Sequence, residues 1–271
     1  MSLPEPSFID RDPVAITAEL VSSWETTTGK TLYPGQVESL LIDLIAYRET
    51  LIRIGIQEAA KQNLVQYAVF PMIDYLGELV GVYRIDGETD DQLRERIKLA
   101  PEAFTTAGSK GSYIYHAKSA SADIVDVAVL SPSPGIVNIY PLSVDGLPDQ
   151  ALIDAVYAIC NAEDVRPLTD FVQVLAPVAS DYSISVTVET YQWPDRDMVQ
   201  QQVVAALTAL VIPAAGTLGR DVTQSSIVAA AMVDGVYRVT VTGPTADVIV
   251  PAEGFARCTG ITVITGDSVN G

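Results

Sequence analysis

Residues 34–68 read PGQVESLLIDLIAYRETLIRIGIQEAAKQNLVQYA, the longest uninterrupted helical pattern in the chain. Apolar side chains recur there every three or four residues, which is typical of an amphipathic helix. They form two stripes rather than one. The first stripe comprises Val37, Leu40, Leu44, Tyr47, Leu51 and Ile54, and the second comprises Leu41, Ile45, Ile52, Ile56 and Ala59. Because a helix packed on a single core needs only one apolar stripe, the pattern predicts a helix with neighbours on two sides.

The length of this helix also exceeds what one domain requires. At about 1.5 Å per residue it would extend roughly 50 Å. Two interpretations of the second stripe stay open: in an ordinary bundle the same chain covers it, and in an assembly a different chain does. The candidate partner-binding residues are those of the first stripe, Val37, Leu40, Leu44, Tyr47, Leu51 and Ile54.

The composition is apolar enough for hydrophobic cores and strongly acidic. The 271 residues are 48% apolar and carry 34 acidic against 16 basic residues, a net charge of −18. Nucleic acids and anionic membranes attract clustered Lys and Arg, so neither is an expected partner. The most apolar segment, residues 203–216, is too short to span a bilayer, and we expect Pro213 to stop its helix. No secretion signal is expected at the N-terminus.

Capping and turn signals divide the chain into a helical part and a mixed part. Asp12 and Pro13 predict the start of a first helix, Gly29 predicts its end, and Phe70-Pro71 predicts a break after the long helix. Strands appear only after about residue 104. The predicted fold class is α+β, with an N-terminal helical bundle region at 1–104 and two small tandem α+β modules at 105–180 and 181–271.

A run rich in small residues, TTAGSKG at 105–111, follows the helical part. Its order, Lys-Gly-Ser after a helix, does not fit a phosphate loop, which needs Gly-Lys-Ser/Thr after a strand. We interpret it as a hinge formed by Thr105, Gly108 and Gly111, with Ser112 capping the next helix.

No pattern of catalytic or metal-binding residues stands out. His116 is the single histidine, and no spacing supplies the carboxylate or nucleophile that a general base needs. The acidic pairs lack the clustered aromatic rings that usually accompany carbohydrate chemistry, and helix capping explains them. They are Asp90 with Asp91, Glu163 with Asp164, and Asp195 with Asp197. Arg166 and Asp170 can form an ion pair across the turn RPLTD, and a plain surface corner is the other interpretation of this run. The sequence therefore predicts no catalytic residue, no cofactor and no metal.

The two cysteines, Cys160 and Cys258, are too few for a disulfide scaffold or a thiolate zinc site. Both lie among small apolar residues. We expect two buried free thiols in a reducing compartment.

Four blocks in order resemble the baseplate assembly J-like proteins of contractile-tailed phages and related contractile particles. The blocks are LGELVGVYRIDGETDDQLRERIKLAPEAFTTAGSKGSYIYHA, IVDVAVLSPSPGIVNIYPLS, NAEDVRPLTDFVQVLAP, and SSIVAAAMVDGVYRVTVTGPTADVIV followed by ARCTGITV. They run from about Leu76 to the end of the chain, and the helical N-terminal part fits in general pattern.

The resemblance implies a non-enzymatic structural protein of the baseplate wedge, present in the virion tail and assembled in the host cytoplasm. In that family two J-like copies join one companion wedge protein through a three-chain bundle of N-terminal helices. The α+β modules meet those of neighbouring copies in an inner ring around the central hub and tube. The implied partners are therefore other wedge proteins, self copies, the tail hub and the sheath-initiating protein.

Two alternatives to a phage baseplate stay open. One is the equivalent ring protein of a phage-derived contractile injection or bacteriocin particle, which the neighbouring genes would distinguish. The other, more remote, is an acidic carbohydrate-acting or ligand-binding protein, which would need a deep pocket where two carboxylates converge.

Overall fold

The computed structural model describes residues 4–104, 108–192 and 195–269. Within these ranges the chain forms helices throughout its first part and two three-stranded sheets after it, an α+β fold as the sequence predicts. The chain is divided into two compact units, Met1–Tyr83 and Arg84–Gly271.

The first unit contains three helices, α1 (Pro13–Thr28), α2 (Val37–Lys61) and α3 (Met72–Glu78). The Asp12 side chain accepts a hydrogen bond of 3.0 Å from the Val14 amide, and Gly29 ends α1 in the left-handed conformation, with a φ of 67°. Both signals for α1 are thereby confirmed, because each follows from local backbone chemistry.

Helix α2 is shorter than the sequence pattern predicts. It ends at Lys61 rather than near residue 68, so its length is about 37 Å rather than 50 Å. The Asn63 side chain donates to the carbonyl oxygens of Ala59 and Ala60, both at 3.3 Å, and the Asn63 amide also bonds to Ala60. These bonds take up the last carbonyls of the helix and favour a turn over another helical residue.

The second unit begins with α4 (Asp90–Ala103), which starts with a capping box formed by Thr89 and Gln92. Helix α4 packs against α5 (Lys110–Lys118). A buried ion pair joins Arg96 of α4 to Glu88, with N–O distances of 2.6 and 2.9 Å, and Gln92 donates to the Ala122 carbonyl at 2.7 Å. This unit thus includes a helix that precedes residue 105, and the module boundary at 105 stays a prediction.

The first sheet is built from β1 (Ile124–Ser133), β2 (Ile136–Ser143) and β3 (Phe171–Val174), with α6 (Gln150–Cys160) between β2 and β3. The strand order is β1-β2-β3, with β1 antiparallel and β3 parallel to β2. The core includes Tyr113, Val127, Ile139 and Val156. The predicted order of helix, two strands, helix and strand is confirmed.

The second sheet has the order β5-β4-β6, formed by β4 (Val178–Tyr191), β5 (Val236–Gly243) and β6 (Gly254–Val269). Strand β4 pairs antiparallel with β5 and parallel with β6. Two helices, α7 (Arg196–Ala215) and α8 (Gln224–Ala231), contribute to its core. The prediction that Pro213 stops α7 is wrong, since the helix continues to Ala215. Pro213 lacks an amide donor, but this loss falls in the last turn of α7. There the Gly216 amide still donates to the Ile212 carbonyl.

By length and composition α7 is the one helix among the described residues that could cross a membrane. A helix in the core of a globular protein can have the same length and composition. Val199, Val203 and Leu207 of α7 are buried in the core of the second sheet.

Candidate assembly surface

One face of α2 is covered by α1. Ile42 and Ala46 are 6% and 3% exposed, and α1 contributes the buried Ile16 to this unit. An open groove between the two helices is lined by residues that include Leu20 and Trp24 of α1. The covered face belongs to neither apolar stripe, because Ile42 and Ala46 lie outside both.

The C-terminal half of the covered face of α2 contacts residues 5–12, which we call the N-terminal strap. The Gln57 side chain is fully buried there, accepting from the Phe8 amide at 2.8 Å and donating to the Pro6 carbonyl at 2.7 Å. Arg53 donates to the Asp10 carbonyl at 3.3 Å, and Lys61 forms an ion pair with Glu5 at 2.5 Å. The Lys61 ammonium holds the pKa of Glu5 below its ordinary value. Sequence reasoning missed this strap, since a polar Gln57 gives no sign of burial by itself.

Both apolar stripes of α2 lie on the surface. Their large side chains are between 40% and 70% exposed. The first stripe consists of Val37, Leu40, Leu44, Tyr47, Leu51 and Ile54, and the large residues of the second are Leu41, Ile45, Ile52 and Ile56. We call these ten side chains the α2 apolar surface. Contiguous exposed apolar patches of this kind mark interaction sites in soluble proteins.

The predicted hinge residues occupy different settings. Thr105 lies outside the described residues. Gly108 has a φ of 64°, and a Cβ built there would lie 2.5 Å from Cγ of Pro167. Gly111 lies in the first turn of α5, where a Cβ would lie 2.8 Å from Cγ of Glu102. The hinge stays a prediction. Gly108 is required by its left-handed backbone and its contact with Pro167, whereas at Gly111 the flexible Glu102 side chain would have to move.

The cap of α5 is Ser109, not Ser112 as predicted. The Ser109 hydroxyl accepts from the Ser112 amide at 3.1 Å, while Ser112 itself is a buried helical residue. The helix therefore starts three residues earlier, because Ser109 is the first residue able to satisfy an orphan amide of this turn.

The Arg166–Asp170 turn is closed differently from the expected ion pair. Arg166 Nη1 donates to the backbone carbonyl of Asp170 at 2.7 Å, and the Asp170 carboxylate instead accepts from the Tyr113 hydroxyl at 2.9 Å. Burial and this carboxylate raise the pKa of Tyr113. The turn is thus bound to the start of α5.

Residues with possible chemical activity are scattered. His116 is half-buried with its ring edge-on to Tyr115, and burial lowers its pKa. Cys160 is buried as predicted, but Cys258 is only half-buried because it lies on the sheet edge in β6. Asp195 caps α7. Among the residues that the structure describes, no group of three or more His, Cys, Asp or Glu is placed to hold a metal ion.

The described residues thus form an α+β protein with a large exposed apolar surface on α2 and no clustered catalytic or metal-binding groups among them. Comparison with known proteins identifies the class of protein. Residues 105–176 match the model of the baseplate J-like central domain, and residues 182–264 match that of the baseplate J-like protein C-terminal domain. Baseplate protein J of Escherichia phage P2 is 34% identical over 245 residues, which covers 84% of this chain and 81% of that protein.

The chain therefore belongs to the baseplate J-like family, and the resemblance seen in the sequence is confirmed. It is a structural component of a contractile tail baseplate and hence of the virion.

Proposed function

We propose that this chain is a non-enzymatic component of the baseplate wedge and inner ring. In this proposal two copies join one companion wedge protein, and their helices cover the α2 apolar surface. The second unit makes ring contacts with neighbouring copies around the central hub, and the tail hub and sheath-initiating protein are further partners. Assembly takes place in the host cytoplasm before the tail is complete.

The observation that carries the proposal is the distribution of side chains around α2. The face covered within the subunit contains one buried aliphatic side chain of large size, Ile42, whereas ten large apolar side chains point to solvent. Burying a Leu or Ile side chain contributes about 1.5–3 kcal/mol of stabilising free energy. Covering the ten exposed side chains would therefore contribute more free energy to binding than the burial of Ile42 contributes to folding of the subunit. The two stripes are adjacent on the helix, with Arg48 between them, and together they are wide enough to contact two neighbouring helices.

Exposed apolar residues on the second unit support a role in ring contacts. Leu168 is 98% exposed at the tip of the RPLTD turn, and Phe171 at the start of β3 is 61% exposed. Strand β3 is also an edge of its sheet, where backbone groups are open to pairing with another chain.

The proposal is tested by the mass and stoichiometry of a complex. The full chain is coexpressed with the neighbouring wedge protein, and the product is measured by native mass spectrometry. We expect two copies of this chain for each companion. A chain that stays monomeric in the presence of its companion would remove the support for a wedge role.

A further inference from the structure

Arg48 is a cation placed between the two stripes of the α2 apolar surface. On a helix each residue is adjacent to those three and four positions away. For Arg48 these neighbours are Leu44, Ile45, Leu51 and Ile52, which are 57%, 53%, 47% and 59% exposed. The Arg48 side chain is itself exposed. A partner that covers both stripes therefore covers the base of this side chain as well.

The other two cations of α2 are already matched within the subunit. Arg53 forms an ion pair with Glu49 and donates to the Asp10 carbonyl, and Lys61 pairs with Glu5 and Glu58. Both lie on the face covered by the strap. Within the described ranges of the chain, Arg48 forms no ion pair.

Resting on the proposed function, we propose that the companion helix carries an Asp or Glu opposite Arg48, and that this pair fixes the register of the two helices. A guanidinium enclosed by apolar side chains loses its hydrating water. It then destabilises the interface unless a carboxylate takes the place of that water. The planar fork of Arg can bind a carboxylate with two parallel hydrogen bonds, which adds geometric specificity. A single charged pair within an apolar helix interface selects one register among several that apolar contacts alone would allow.

A second copy of α2 carries no acid between its two stripes, where Arg48 lies. Its nearest acid, Glu49, is bound by Arg53. Glu38 and Asp43 lie at the two outer edges of the α2 apolar surface, where it meets the covered face. Pairing two copies through the same surface would bring two Arg48 side chains into one interface without an acid between them. The charge on this surface therefore favours a different chain.

The test reverses the charge at position 48 of the full chain and measures binding to the neighbouring wedge protein, which serves as the probe. We expect Arg48→Glu to weaken binding by at least about 30-fold, because it places two carboxylates together in a covered site. Lys30→Glu makes the same change of charge at an exposed position outside α2 and should weaken binding by less than about fivefold. Replacing each Asp and Glu of the companion helix in turn by Arg should identify one variant that restores binding to Arg48→Glu.

The outcomes separate this inference from the proposed function. If Arg48→Glu binds like the wild type while Leu44→Asp does not, the carboxylate pair is wrong and the apolar interface stands. If no companion variant restores binding, the pair is also wrong. If the chain alone forms dimers in light scattering and Leu44→Asp abolishes them, the surface binds a second copy and the inference fails. Normal binding by Leu44→Asp would overturn the proposed function itself.

Discussion

Two residues of α2 that lie two positions apart should respond to substitution in opposite ways. Leu44 is 57% exposed in the subunit, whereas Ile42 is 6% exposed against α1. The variants Leu44→Asp and Ile42→Ala therefore separate assembly from folding on a single helix. We expect Leu44→Asp to abolish wedge formation and Ile42→Ala to destabilise the subunit.

The magnitudes follow from these exposures. The exposed part of Leu44 would contribute about 1–2 kcal/mol when a partner covers it, as a share of the value for a whole Leu. Placing a carboxylate in the same apolar contact adds a desolvation penalty of at least about 2 kcal/mol. The total, about 3 kcal/mol or more, corresponds to over 100-fold in Kd. The stability of the free subunit should change by no more than about 0.5 kcal/mol, because Leu44 faces solvent there.

Ile42→Ala removes buried methyl groups and leaves a cavity, so it should lower the free energy of unfolding by about 2–5 kcal/mol. Urea unfolding followed by circular dichroism measures stability, and calorimetric titration with the companion measures binding. Asp195→Asn is the control for lost charge, because asparagine keeps the oxygen that caps α7. A Leu44→Asp variant that unfolds as easily as Ile42→Ala, or that binds with wild-type Kd, would refute the reasoning.

Three further predictions concern the second unit. Arg96→Met leaves Glu88 buried without its partner and should lower the free energy of unfolding by about 3–5 kcal/mol in urea titrations, with partial recovery in the double variant with Glu88→Gln. Burial raises the pKa of Cys160 from 9.0 to about 12, so the unfolded chain loses that proton first and stability should fall as pH rises above 9. Under native conditions iodoacetamide should modify Cys258 before Cys160, as mass spectrometry can show.

Features that depend on neighbouring residues could be predicted from the sequence. The cap at Asp12, the glycine that ends α1 and the alternating strands around the Pro134-Gly135 turn all follow from local backbone preferences. The six candidate residues of the first stripe were identified from spacing alone. Their exposure agrees with a surface role, although their contact with a partner stays a prediction.

Features that join distant parts of the chain could not be predicted in this way. Gln57 bonds to Phe8, 49 residues earlier, and Gln92 bonds to Ala122, 30 residues later. Neither side chain differs in sequence from an ordinary exposed helical glutamine. The end of α2 at Lys61 was missed for a related reason, since Asn63 acts on the carbonyls of the preceding turn while the apolar spacing continues beyond it.

The arrangement around α2 explains why one helix of an acidic chain carries so much apolar surface. A helix that serves only its own subunit places large aliphatic side chains inward and polar ones outward. Here the inward face holds one large aliphatic, Ile42, beside Ala46, Arg53 and the buried Gln57, and the other large aliphatics point outward. The strap satisfies the polar groups of the inward face, so folding of the subunit does not require the stripes. The net charge of −18 opposes unspecific association of free subunits, so under the proposed function the apolar surface stays available for the companion helix.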